Sequence, residues 1–202
     1  MTQARRGRPS TGVREAVLKA TEEVLGEAGL ALSTKEVARR AGVAESSIFY
    51  HFGDRLGLLQ AVVGLHLPVF SDAAALLGRE PADGEPAADL AAMLTGLERF
   101  YFGIMPILGA VQSDHQLRGL LAERGGEIGP HLAFGPVGDA LRARQAAGRL
   151  PADLDPAAGA LLLVGAAYQR ALHRYLLGDG EAAARVLPPV EAVARTLLPA
   201  FR

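Results

Sequence analysis

Apolar residues in this chain recur at spacings of three and four, and no segment shows the strict alternation of a half-buried strand, so helices are what it can build. Val17, Ala20, Val24 and Ala28 mark one face of a first helix, with Gly29 as its stop. Ser33 and Glu36 bracket a capping box, in which the serine oxygen and the glutamate side chain would satisfy exposed amides at the start of a second helix. That helix is short. Val37, Ala38 and Ala41 supply one apolar stripe before Gly42 offers a turn at little steric cost. A third helix resumes near Ala44 and reaches Tyr50 or His51. Asp54 is a natural N-cap for a fourth carrying Leu56, Leu58, Leu59, Val62 and Val63, which Pro68 is expected to kink or end.

Residues 78–86 read as a loop, and further helices are predicted at about 87–102, 106–112, 116–123 and 129–147. Asp155 and Pro156 read as N-cap and first residue of a helix that reaches Leu177, ended by Gly178, Asp179 and Gly180. A last helix carries Val186, Val190, Val193, Leu197 and Phe201 on one face. The expectation is an all-α chain of about nine helices, a small N-terminal three-helix unit joined through the fourth helix to a larger bundle.

With 202 residues, half of them apolar, the chain can bury a real core. It has no cysteine, which removes disulfides, thiolate metal sites and thiol nucleophiles. Its longest apolar run, 157–168, falls short of the roughly 20 residues a bilayer span needs, so no membrane partner is expected. The basic, polar start lacks the apolar stretch of a usual signal peptide, making a cytoplasmic location the default. Lysine and arginine (21) nearly balance aspartate and glutamate (22), but Arg5, Arg6, Arg8 and Arg14 all precede the first acid, Glu15. A basic arm on a neutral body suits a polyanion at one end.

Enzyme signatures are missing. The five histidines include no H-E-x-x-H and no i,i+4 pair, and neither a phosphate-binding glycine loop nor a nucleophile elbow occurs. Asp114 and His115 adjoin in sequence and so do not face one direction on a helix. No cofactor or metal is implied. A nonspecific architectural DNA-binding protein would be strongly basic and would not need a large apolar C-terminal half.

Two short helices joined by a glycine turn, the second presenting Glu45, Ser46 and Ser47, fit a helix-turn-helix, although the geometry also fits a plain hairpin with solvated polar faces. The run from Ser33 to Leu59, STKEVARRAGVAESSIFYHFGDRLGLL, strongly resembles the DNA-binding signature of the TetR family of transcriptional regulators. The close match covers about residues 10–60, and the remaining helices agree in number, length and order. The resemblance implies a helix-turn-helix domain at 1–53 and a ligand-binding and dimerisation domain at 54–202. It also implies a homodimer on double-stranded operator DNA, expected to act as a repressor released by a small-molecule effector.

By that resemblance Lys35 and Ser46 are the foremost base-edge contacts, with Glu45 after them. Thr34, Ser47, Tyr50, His51 and Arg55 would hold phosphates, which sets register. Phe49 replaces the family's usual tyrosine and Leu56 its usual acid, so one phosphate contact passes to Tyr50. Ile48, Phe49 and Phe52 are expected to pack between helices. Arg5, Arg6 and Arg8, with Gly7 and Pro9 between and after them, form an arm suited to an adjacent minor groove.

The last two long helices are the expected dimer interface, through Leu161, Val164, Leu172, Val190, Val193 and Leu197, because 161–164 leave no polar face for water. Met93, Leu97, Phe100, Tyr101, Met105, Gln112, His115, His131, Phe134, Tyr168 and Gln169 combine apolar surface with a few hydrogen-bonding tips, the composition of a pocket for a mainly apolar effector.

Overall fold

The computed structural model describes residues 10–27, 32–78, 86–124, 130–178 and 180–201, and among these there is no strand. Helix α1 (Ser10–Glu27) buries Val17, Leu18, Ala20, Val24 and Leu25, and the buried Thr21 hydroxyl is satisfied by donating to the Val17 carbonyl at 2.7 Å. The Gly29 stop lies outside the described residues. Helix α2 (Thr34–Ala41) starts where the sequence places it, with Ser33 Oγ accepting from the Glu36 amide at 3.3 Å. Only that half of the capping box forms. The Glu36 carboxylate turns instead to Arg39, at 2.8 and 2.5 Å, and to Arg40 at 3.2 Å, a stronger charge-assisted pairing that lowers its pKa to about 2.

Gly42 closes α2 in the left-handed region at φ 68° and ψ 35°, with Val43 N donating to the Ala38 carbonyl at 3.0 Å. Helix α3 (Glu45–Phe52) follows and ends at Gly53. Helix α4 (Arg55–Gly78) is capped by Asp54, whose Oδ1 accepts from Gly57 N at 2.8 Å. Pro68 lies inside α4 and does not end it. Burial of Phe70 and Ala73 beyond the proline outweighs the roughly 3 kcal/mol that an interior proline forfeits. Pro106 is tolerated in the same way. The two helices expected on either side of 103–105 are one, α5 (Pro86–Ser113), because Ile104, Met105, Ile107 and Leu108 are all buried across the proline.

Helix α6 (His115–Glu123) is capped by Asp114. A 3-10 turn (Pro130–Ala133) precedes α7 (Phe134–Ala146), and α8 (Pro156–Leu177) opens on Asp155 with Pro156 in its first turn, as the sequence indicates. The single last helix of the sequence reading is two, α9 (Glu181–Val186) and α10 (Val190–Leu197), then a 3-10 turn (Leu198–Phe201). Pro188 and Pro189 cause the break, since neither carries an amide hydrogen and each disfavours helical geometry in the residue before it.

The chain divides into two compact units. The first comprises Met1–Leu65 and Pro106–Glu127, and its described core includes Val17, Val24, Val37, Ile48, Leu56, Leu59, Ile107 and Leu117. Two reciprocal ion pairs tie the start of α4 to α6. Asp114 uses Oδ1 to cap α6, accepting from Gln116 N at 2.9 Å and Leu117 N at 3.1 Å, and Oδ2 to hold Arg55 Nη2 at 2.5 Å. Asp54 mirrors this arrangement, capping α4 with Oδ1 and pairing with Arg124 through Oδ2. The amide of Leu117, then Arg55, holds the Asp114 carboxyl below its ordinary range.

The second unit comprises His66–Met105 and Ile128–Arg202. There α4 and α5 approach so closely that a Cβ on Gly96 would stand 2.5 Å from Ala73 Cβ. Phe70, Phe100, Tyr101 and Tyr168 form a chain of rings with successive centroids 5.2, 5.2 and 5.5 Å apart. Among the described residues, the 19-residue stretch Arg55–Ala73 reaches a mean hydropathy of 1.4 and is long and apolar enough to cross a membrane by length and composition only.

Replacing Gly96 by Ala should lower stability to chemical denaturation by about 1–3 kcal/mol, with Ala73→Gly restoring part of the loss in the double variant. Asp114→Ala should lower it by about 1–2 kcal/mol, whereas Asp114→Asn, which keeps a capping oxygen, should lose less. Because the folded-state pKa of Asp114 is lowered, its contribution is complete above the ordinary carboxylate range and fades as pH falls through the folded value. The gap between wild type and Asp114→Ala should therefore close in acid, which unfolding curves at several pH values will read.

Candidate nucleic-acid interface

The α2–α3 pair presents one polar face. Ile48, fully buried, anchors α3, and the sharp turn at Gly42 brings the first residues of α2 and α3 together, where Thr34 Oγ1 donates to Glu45 Oε1 at 2.6 Å. Glu45, Ser46, Phe49 and Tyr50 follow one another on the exposed side of α3, and Tyr50 is 85% exposed. Tyr50 and His51 meet edge to face at 5.1 Å, and Arg14 lies over the Phe52 ring at 5.5 Å. Lys35 is exposed and makes no ion pair among the described residues.

One expectation needs correction, and two of the expected contact residues already have partners within the chain. Phe49 does not pack with Ile48 and Phe52: it is 42% exposed, because Ile48 and Phe52 share the inner side at i,i+4 while Phe49 is turned about 100° away. The Arg55 guanidinium is already engaged, by Asp114 and by the Leu32 carbonyl at 3.0 Å, instead of standing free for a phosphate. The Thr34 hydroxyl proton likewise goes to Glu45 and is not available to a phosphate oxygen in this arrangement. Ser46, Ser47 and His51 remain accessible or half-buried on α3. Arg5, Arg6 and Arg8 lie outside the described residues.

The positive charge of α2 is largely matched locally. Arg39 pairs with Glu36, and Arg40 with Glu27 at 2.9 Å and Glu36 at 3.2 Å, contacts that raise the pKa of both arginines.

The expected pocket residues separate. Met93, Leu97, Phe100, Tyr101 and Met105 are buried along one side of α5 in the second unit, with half-buried Tyr168 ring to ring against Tyr101. Burial, then the neighbouring Tyr168, drives the Tyr101 pKa upward. Phe134 is half-buried, while His131 and Gln169 are exposed, and Gln169 bonds His173 at 3.3 Å. Gln112 and His115 belong to the first unit and are exposed. Of the expected dimer residues, Leu161 is 57% exposed, whereas Val164 joins Ala160, Ala167 and Ala171 on the inner stripe of α8 and is buried in its own chain. Leu172, Val190, Val193 and Leu197 are half-buried.

The sequence reading missed one constellation. Glu98, almost wholly buried, holds Arg170 Nε at 2.6 Å and Arg174 Nη1 at 2.9 Å, and the three line a groove of about 340 Å³ with Ala183, Leu187 and Pro188. Arg170 and Arg174 at i,i+4 mark one cationic stripe on α8, but their spacing does not point to Glu98.

The model of bacterial regulatory proteins of the tetR family matches residues 17–62. The chain is 37% identical over 84 residues to the HTH-type transcriptional regulator BetI 2 of Chromohalobacter salexigens, covering 41% of each chain. It is 44% identical over 52 residues to the HTH-type transcriptional repressor BepR of Brucella suis, covering 25% of each. These matches span less than half the length of the curated relatives. At the level of fold, Salmonella enterica GusR superposes over 95% of both chains with a TM-score of 0.65 at 16% identity. The matched stretch contains all of α2 and α3 together with Asp54 and Arg55, and the fold agreement extends through the remaining helices. Residues 17–62 are therefore similar to the bacterial regulatory proteins of the tetR family, and the chain shares its helical fold with GusR.

Proposed function

We propose that this protein is a cytoplasmic repressor whose residues 1–53 bind operator DNA, and whose residues 54–202 form a homodimer and take up a small, mainly apolar effector that releases the DNA. The observation that carries the reading is the exposed face of α3, with Glu45, Ser46 and Tyr50 presented outward from a helix that Ile48 anchors. A short helix of this kind fits the major groove, where Ser46, with Lys35 from α2, would reach base edges and Ser47, Tyr50 and His51 the backbone. One such helix reads only a few base pairs, so two copies are needed for a specific site.

The exposed Leu161, Leu162 and Leu176 on α8 support a second copy as the partner there. The apolar stretch of Met93, Leu97, Phe100 and Met105 with the Tyr101–Tyr168 pair supports an apolar effector. Coupling between the two roles would be a population shift, in which effector and DNA favour different placements of the reading helices. The paired Asp54–Arg124 and Arg55–Asp114 contacts support α4 as the lever, since they fix its first turn to α6.

Selection from a random DNA pool at moderate salt should enrich a palindromic or near-palindromic motif; a folded dimer that enriches nothing would count against operator binding. On the selected site, Lys35→Ala should weaken binding by about 1–3 kcal/mol while leaving nonspecific binding nearly unchanged. Pro68→Ala should shift the effector concentration needed for release more than it shifts DNA affinity, and unchanged release would remove α4 from the mechanism.

A further inference from the structure

Glu45 is the one acid of α3, and it stands on the face proposed to meet DNA. An acid there is repelled by phosphates, so its presence needs a positive reason. The positive end of α3 favours an acid in its first turn but would accept one in any orientation, and neighbouring side chains add no charge of their own. The neighbouring arginines Arg39 and Arg40 are held by Glu36 and Glu27, and no cation pairs with Glu45 among the described residues. Nor does it serve as a cap, a position occupied by Ala44 without any side-chain hydrogen bond.

What Glu45 does have is a fixed orientation. Thr34, the first residue of α2, donates its hydroxyl to Oε1 at 2.6 Å, a charge-assisted bond between two different helices. That bond restricts a side chain with several rotatable bonds before any ligand arrives, which lowers the entropy lost on binding. Oε2 accepts no hydrogen bond among the described residues and is left as an acceptor on an exposed surface.

The major-groove edges of the four bases discriminate sharply against such a group. Guanine and thymine offer only acceptors on their own edges, which a carboxylate repels. Adenine offers its N6 amine beside the N7 acceptor, so one carboxylate oxygen gains what the other loses. Cytosine offers its N4 amine with no acceptor adjoining it on the same base. We infer that Glu45 is a specificity determinant that requires a cytosine at one position of each operator half-site, accepting from its N4 amine, and that Thr34 is the positioning residue that aims it. This inference rests on the DNA-binding reading above and adds the base it selects. Rejection of guanine and thymine at that position is part of the device, because specificity is a difference between the wanted and unwanted partners.

The test compares motifs selected from one random duplex pool by wild type, Glu45→Gln and Glu45→Ala. Wild type should require cytosine at the position in question, Glu45→Gln should move the preference to adenine, whose N6 and N7 suit an amide, and Glu45→Ala should relax it. In the wild-type operator, N4-methylcytosine at that position removes the amine hydrogen facing the groove. It should weaken wild type about tenfold, the scale of a good base contact, and leave Glu45→Ala unaffected. Thr34→Val should keep the cytosine preference with smaller discrimination, and Thr34→Ser should restore it. Glu45 is exposed and Thr34 only half-buried, so all the variants should remain folded, and their melting is checked first. A wild-type motif that Glu45→Gln reproduces unchanged, or an equal effect of the methyl group on wild type and Glu45→Ala, overturns the inference and leaves operator binding intact. A wild-type pool with no motif overturns both.

Discussion

At Gly42 the backbone enters the left-handed region, and the direction of α3 follows from that one residue. A side chain there would add roughly 1 kcal/mol or more of strain, and any relaxation would swing α3 away from α2. The rest of the interface inherits the turn. Ile48 finds its buried site, Thr34 comes within bonding distance of Glu45, and the outward residues of α3 fall on one side, because the two helices meet at a fixed angle. Downstream, Gly53 ends α3 at positive φ, and the reciprocal Asp54–Arg124 and Arg55–Asp114 pairs fix where α4 begins. The helix-turn-helix is thus held at both ends by backbone geometry and at its far end by charge.

Much of this was legible in the chain itself. Caps at Ser33, Asp54 and Asp155 appear where the sequence puts them, because a short polar side chain before an apolar stripe has few other uses. The signature from Ser33 to Leu59 carried the family. Proline was the weaker guide: Pro68 and Pro106 lie inside helices since burial on either side decides the matter, whereas the adjacent Pro188 and Pro189 do break one. Local rules weigh a proline by its missing hydrogen bond and cannot see the packing it is set against.

Side-chain partners were the least legible. Nothing in the spacing of Arg55 and Asp114, or of Glu98 with Arg170 and Arg174, tells that they meet, since each pair is joined only after separate helices pack. The engagement of Arg55 within its own chain was hidden for that reason. Phe49 failed for a simpler one, helical rotation past the buried stripe that holds Ile48 and Phe52. Val164 was misplaced in the same manner, two positions along α8 from Leu162, which does face outward.

The closed ion network of α2 bears on nonspecific binding. With Arg39 and Arg40 each matched by glutamates, the described part of the reading surface carries little uncompensated positive charge, so few counterions would leave bulk DNA when it docks. On the α2 surface, sequence-independent attraction would accordingly be weak, and discrimination there would fall to the bases that the exposed side chains reach.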